Sequence, residues 1–230
     1  MATGVLLAAG TSSRFGDSVP KQLTKLAGQT LLEHSLATFN DHPDINEIVI
    51  VTQENLIPII RDISKNSFNK VSDIIQGGRS RYQSSLAAIK HIAGDKDTKI
   101  LLHDAARPFV TSEMITGCIE ALKKYKAVTV AIPSSDTLLD AVDDVVVSIP
   151  NRKDFMRAQT PQGFRLGVIR EAYEFLEKKN NFVPTDDCGV VNRYLPNIKI
   201  GVINGSDTNI KVTYPKDIHL AEALLKHKSD

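Results

Sequence analysis

The 230-residue chain is 42% apolar and 24% charged, the balance of a water-soluble protein with enough apolar side chains for a sizeable core. Its 28 basic and 27 acidic residues leave a formal charge of +1, which excludes bulk electrostatic capture of nucleic acid, so any polyanionic ligand must meet cations grouped locally. Cys118 and Cys188 make neither a metal-ligand spacing nor a disulfide framework, and no stretch approaches the roughly 18 apolar residues of a membrane span; the expectation is a cytoplasmic protein with no membrane partner.

In chain order, Gly4–Ala8, Glu47–Thr52, Val71–Gln76, Lys99–His103 and Ala127–Pro133 are short runs dense in Val, Ile and Leu, the pattern of buried strands. Helical periodicity lies between them. Tyr82, Leu86, Ile89 and Ala93 fall on one helical face, and Thr111 suits the cap of a helix with Glu113 in its first turn and Lys123, Lys124 and Lys126 near its end. A further strand is expected at Ile198–Ile203, and a last helix after Pro215 with Ile218, Ala221 and Leu225 as its apolar stripe. The alternation predicts an α/β fold with a mostly parallel sheet, whose ligands bind at the carboxyl ends of the strands.

Residues 134–160 break the alternation. Leu138–Val142 and Val145–Ile149 flank Asp143-Asp144, the signature of a hairpin turn. Its apolar face needs a partner, either its own domain or a second copy of the chain. The expected organisation is one domain spanning residues 1–230, with 134–160 as a hairpin arm.

The chemistry-bearing residues fall where strands end. Leu6–Gly16 lies between the end of the first strand and the expected start of the first helix, and its Gly10, Thr11, Ser12 and Ser13 leave backbone N–H groups open to an anion. Arg14 and Lys21 bring cations to the same end. The spacing of Gly10 and Gly16 matches neither a dinucleotide fingerprint nor a Walker A loop. Gly77-Gly78 offers a second strand–helix turn. Asp104 and Arg107 come just after the fourth strand: the carboxylate can hold Mg²⁺ or a substrate hydroxyl, and Arg107 can fork onto a phosphate or brace the loop. Lys211, taken singly, reads as an ordinary surface lysine.

Together these segments resemble the sugar nucleotidyltransferases. The sequence Leu7-Ala8-Ala9-Gly10, Arg14 and Pro20-Lys21-Gln22 is similar to their signature. Gln76–Ser84, His103–Phe109, Asp136-Thr137, Arg152, Gln159–Gln162, Thr185-Asp186-Asp187 and Asn209–Thr213 narrow the resemblance to cytidylyltransferases acting on 2-C-methyl-D-erythritol 4-phosphate or D-ribitol 5-phosphate. The resemblance implies a Rossmann-like nucleotidyltransferase fold with helices on both faces of the sheet and a projecting hairpin. It implies Ala8, Ala9, Gly10 and Thr11 along the CTP phosphates, and Arg14, Lys21 and Lys211 as catalytic cations. Gly78, Arg81 and Ser84 would surround the nucleoside, with Mg²⁺ as cofactor. Asp104, Arg107, Thr137, Arg152 and Asp207 would meet the polyol phosphate, Thr137 and Arg152 by reaching a neighbouring subunit's site in a homodimer. His103 is read as structural, because an ionised phosphate needs no base. Ala106 favours the methylerythritol branch, whereas Ile149–Arg152, Asp186–Gly189 and Lys211–Tyr214 are closer to the ribitol branch. Methylerythritol phosphate is the expected acceptor, ribitol phosphate the alternative, and a non-catalytic nucleotide-binding protein the distant one.

Overall fold

The computed structural model describes residues 1–10, 15, 20–179 and 182–226. Strand β1 (Ala2–Leu7) leads through a 3-10 turn (Lys21–Leu23) to the small ribbon β2 (Lys25–Leu26) and β3 (Gln29–Thr30), then to helix α1 (Leu31–Asp41). The chain continues through β4 (Ile45–Thr52), α2 (Ile57–Lys65), β5 (Val71–Gln76), α3 (Arg81–His91), β6 (Lys99–Asp104), α4 (Ser112–Ala121) and β7 (Ala127–Pro133). The hairpin β8 (Asp140–Val142) and β9 (Val145–Ser148) precedes β10 (Met156–Arg165), α5 (Leu166–Lys179), α6 (Asp187–Tyr194), β11 (Ile200–Asn204) and α7 (Lys216–Lys226).

Seven strands form one sheet in the order β11-β7-β10-β6-β1-β4-β5. All neighbours are parallel except β10, which runs antiparallel to both β6 and β7. The alternation of side chains along each strand feeds two cores. Leu6, Ile48, Ile50 and Leu101 face α1, α2 and α4, while Val5, Leu7, Val49, Val51 and Leu102 face α3, α5 and α6. Burial on both faces explains why these strands read as continuous apolar runs. Helix α7 closes a third, smaller cluster with Leu26, Leu31, Phe109 and Val212.

The helix starts are set by local chemistry. Thr30 and Glu33 make a capping box for α1, and Ser80 and Gln83 make one for α3, each satisfying two orphan backbone donors. Thr111 accepts from the Met114 amide at the head of α4. Ala93 lies past the end of α3, and Lys123, Lys124 and Lys126 lie past the end of α4.

Strand β10 is the element that sequence patterning does not anticipate. Its Gln159, Thr160 and Gln162 are buried, and Pro161 and Gly163 are poor strand formers. It lies inside the sheet because its polar side chains find partners, Asp186 and Thr129 for Gln162 among them. Met156–Ala158 pair with Ala131–Pro133 of β7, so the end of the 134–160 segment extends the sheet, and within that segment β8–β9 form a separate ribbon. Asp143 and Asp144 turn that ribbon with φ of 48° and 63°, both left-handed as a two-residue primed turn demands.

Phe39 of α1 packs beneath the sheet. A Cβ on Gly4 would lie 2.7 Å from its ring, so β1 carries glycine where the helix comes closest. The ring also stands 5.3 Å, centroid to centroid, from the imidazole of His103. Phe39 has no exposed surface, and Phe39→Ala should cost about 3–5 kcal/mol of stability. Urea unfolding would show this as a lower midpoint at nearly unchanged slope.

Candidate active site

The carboxyl ends of β1 and β6, the head of α3 and the segment after β11 enclose a cleft of about 260 Å³. Ala8, Ala9, Gly10, Lys21, Arg81, Ser84, Asp104 and Lys211, all singled out from the sequence, line it. Gln22, Arg79 and Thr213 line it too, and sequence reasoning assigns them no role although each sits inside a recognised motif. Among the described residues the wall holds four cations, Lys21, Arg79, Arg81 and Lys211, against the single carboxylate Asp104. A nearly neutral chain thus concentrates positive charge where the small side chains of Ala8, Ala9 and Ser84 leave room for an anion.

Asp104 organises the cations. Arg81 Nε donates to its Oδ1 at 2.9 Å and Lys211 Nζ to its Oδ2 at 2.6 Å. Burial opposes ionisation of this carboxyl, but Arg81, Lys211 and Arg107 outweigh it and hold the group far below the usual carboxylate range. Arg81 is itself half-buried, and the loss of solvent disfavours its charge; Asp104 and Asp187 reverse that effect and raise its pKa.

The turn between β5 and α3 is built around Ser84. The Gly78 amide donates to Ser84 Oγ at 3.2 Å, and that hydroxyl donates to the Ser80 carbonyl at 3.0 Å. Gly78 therefore shapes the cleft from behind its wall. A Cβ there would fall 2.2 Å from that of Gln83, so the close approach requires glycine.

Arg107 takes the bracing role. Its Nη1 donates to the Asn209 carbonyl at 2.7 Å, and the Val212 amide donates to the Ala106 carbonyl at 2.9 Å. These bonds fasten the segment carrying Lys211 to the loop after β6, and Arg107 is not part of the cleft wall. Thr137 and Arg152 are exposed beside the hairpin, with Arg152 Nη1 donating to the Ser135 carbonyl at 2.9 Å. Asp207 is exposed and pairs with Arg157 at 2.8 Å. These three stand outside the cleft as well. Thr11 and Arg14 lie outside the described residues.

His103 has no exposed surface. Its Nε2 lies 3.1 Å from the Arg107 carbonyl, which can only accept, so Nε2 carries the proton. Nδ1 then accepts from Thr160 Oγ1 at 3.0 Å, while that hydroxyl accepts from the Asp104 amide at 3.1 Å. Burial pushes the imidazole down to about 4, against a smaller opposite pull from Asp104. His103 is a neutral link in a chain of hydrogen bonds.

Among the described residues no group of three or more His, Cys, Asp or Glu side chains is placed to hold a metal ion. Asp104, the one carboxylate of the wall, has both oxygens engaged by cations. The side chains do not form a cage for Mg²⁺.

A mostly parallel α/β sheet with a cationic cleft at its carboxyl edge is the architecture of a nucleotide-binding protein. The sequence profile of the IspD family, 2-C-methyl-D-erythritol 4-phosphate cytidylyltransferase, matches residues 2–227, and the chain belongs to that family. It is 46% identical over 228 residues to 2-C-methyl-D-erythritol 4-phosphate cytidylyltransferase of Thermobifida fusca, covering 96% of this chain and 92% of that one. It is also 42% identical over 230 residues to the bifunctional ribulose 5-phosphate reductase/CDP-ribitol pyrophosphorylase Bcs1 of Haemophilus influenzae, covering 98% of this chain but 48% of that longer protein. The crystal structure of 4-diphosphocytidyl-2C-methyl-D-erythritol synthase from Anaerococcus prevotii superposes with a TM-score of 0.88 at 30% identity, covering 98% and 96% of the two chains.

The buried imidazole gives a pH prediction. The unfolded chain protonates His103 near 6.5 and the folded chain near 4, so the unfolded state binds more protons between those values. Stability contributed by the neutral ring is complete above pH 6.5 and declines toward pH 4, by on the order of 3 kcal/mol. His103→Gln, which can still donate and accept, should flatten the pH dependence of unfolding free energy across that window when denaturant titrations are compared.

Proposed function

We propose that this cleft transfers CMP from CTP to 2-C-methyl-D-erythritol 4-phosphate and releases pyrophosphate. The observation that carries the reading is the wall of four cations around one ionised carboxylate, in a chain of family-wide similarity. A phosphate-monoester oxygen of the acceptor attacks the α-phosphorus in line, forming the new P–O bond. The bond to the β-phosphate bridge oxygen breaks, and pyrophosphate leaves with that electron pair. No proton has to be removed, so a neutral, fully bonded His103 suits the chemistry.

The two substrates together bring about six negative charges, and more gathers around the α-phosphorus in the transition state. Cations at the cleft wall lower the barrier by compensating that charge. Lys21 and Lys211 serve as donors to the phosphates, with Arg14 as a third catalytic cation. Asp104 holds Lys211 ready and keeps it from Arg81. Mg²⁺ is proposed as an ion carried by the triphosphate oxygens, where it would add Lewis-acid neutralisation.

The exposed hairpin supports a homodimer. Leu139, Val142, Val145, Val146, Val147 and Ile149 are all 48–65% exposed, more contiguous apolar surface than a bare two-stranded ribbon keeps in water. In this proposal Thr137 and Arg152 meet the acceptor phosphate in the partner's cleft, Asp207 contributes beside them, and each cytoplasmic chain is one catalytic domain.

Ribitol phosphate is the second reading, favoured by Ile149–Arg152 and by the similarity to the Haemophilus protein. Pyrophosphate release with Mg²⁺, CTP and each polyol phosphate decides between them. At least a tenfold preference in kcat/KM for methylerythritol phosphate is expected, about 1.4 kcal/mol of discrimination. The opposite preference would assign the ribitol branch, and no release with either acceptor would overturn the enzymatic reading. Lys21→Ala should lower turnover by about 10²-fold or more, the scale of one lost transition-state donor. Arg152→Ala should raise the KM for the polyol phosphate with little change in the KM for CTP; an unchanged acceptor KM would count against the shared site.

A further inference from the structure

Arg81 is the first residue of α3, where the helix end carries partial positive charge, and that helix has no acidic residue in its first turn. A cation is out of place there unless carboxylates arrive from elsewhere. Two do. Asp104 takes Nε at 2.9 Å, and Asp187, at the head of α6, takes Nη1 at 2.8 Å. Because they bind different nitrogens, the two bonds fix the plane and rotation of the guanidinium as well as its position.

The two carboxylates differ in what else can reach them. Asp104 stands in the cleft wall and shares its charge with Lys211, whose side chain is 38% exposed. Asp187 has no exposed surface at all. Its other oxygen accepts from Tyr173 Oη at 2.6 Å, and its backbone amide donates to Gln162 Oε1 at 3.1 Å. Burial, and then Asp187 itself, keep the Tyr173 hydroxyl protonated, so it donates. A fully buried carboxylate is costly unless its charge and lone pairs are met, and here each oxygen has one donor. Arg81 Nη2, the third guanidinium nitrogen, is buried without a partner among the described residues.

We infer that Asp187, oriented by Tyr173, is a positioning residue: it clamps Arg81 from the protein side so that the guanidinium keeps its orientation at the cleft when a nucleotide draws Lys211 away from Asp104. The role rests on the CTP reading of the cleft. With the clamp removed, Arg81 is free to turn both donors onto Asp104 and leave the nucleotide.

Asp187→Asn keeps the volume and one acceptor but removes the charge; Tyr173→Phe removes only the bond that orients the carboxylate. Calorimetric titration with CTP and Mg²⁺, without acceptor, should show the dissociation constant raised about tenfold by Asp187→Asn and about two- to threefold by Tyr173→Phe, the scale of a charge-assisted and of an indirect hydrogen bond. In turnover assays the KM for CTP should rise in parallel, while kcat and the acceptor KM move less than about threefold, the split expected for lost ground-state binding. CTP affinity unchanged in both variants, even with a lowered Tm, overturns the clamp, as does a fall in kcat at unchanged affinity. If Asp187→Asn does not fold, Tyr173→Phe alone decides. Wild-type protein that neither binds nor turns over CTP would bring down the reading of the cleft and the clamp with it; wild-type turnover beside unaffected variants removes the clamp alone.

Discussion

The ionised carboxylate of Asp104, buried between Arg81 and Lys211, is the constraint on which the site depends. It stands at the end of β6, and its two cations come from the head of α3 and from the segment after β11. Three stretches of chain far apart in sequence are thereby fixed to one another at the edge of the sheet. Such buried pairs contribute little net stability, because removing the charges from water offsets much of their attraction. Their return is geometric: the ions settle only one arrangement, and that arrangement is the wall of the cleft.

A carboxylate inside an anion site is a paradox only if charge is counted without position. Arg79, Arg81, Lys21 and Lys211 crowd one cleft, and without a counter-ion their repulsion would drive the flexible lysines into solvent. Asp104 leaves the field positive while tethering two of those side chains, Arg81 and Lys211. The chain's formal charge of +1 therefore says little about its ligand. Distribution carries the information, and the fold creates the distribution.

Residues differ in legibility for physical reasons. The parallel strands are legible because both faces are buried and their positions are largely apolar. Strand β10 is not, because its buried Gln159, Thr160 and Gln162 satisfy themselves through tertiary partners that periodicity cannot show. Lys21, Ser84, Asp104 and Lys211 are legible through motif resemblance, and the cleft gathers them. Arg107 admits two readings, and only the carbonyl of Asn209 beside its guanidinium separates brace from phosphate fork. Asp187 sits within a recognisable motif that suggests no task for it, since its partner Arg81 lies 106 residues away. The hairpin's apolar runs are legible in the sequence, and the structure leaves them exposed.

His103 and Asp104 show how the same fold sets opposite charge states on adjacent residues. Strand alternation sends one side chain toward Phe39 and the other toward Arg81. The imidazole, enclosed with a ring on one side and a carbonyl acceptor on the other, stays neutral. The carboxyl one residue on, also buried but facing cations, stays ionised. Neutral hydrogen bonds through Thr160 then join the two. The loop is thus held by groups that do not change charge near neutral pH, while the cations stand in the cleft wall. A rigid, neutral support beneath a charged wall is the division of labour that electrostatic catalysis by preorganised groups requires.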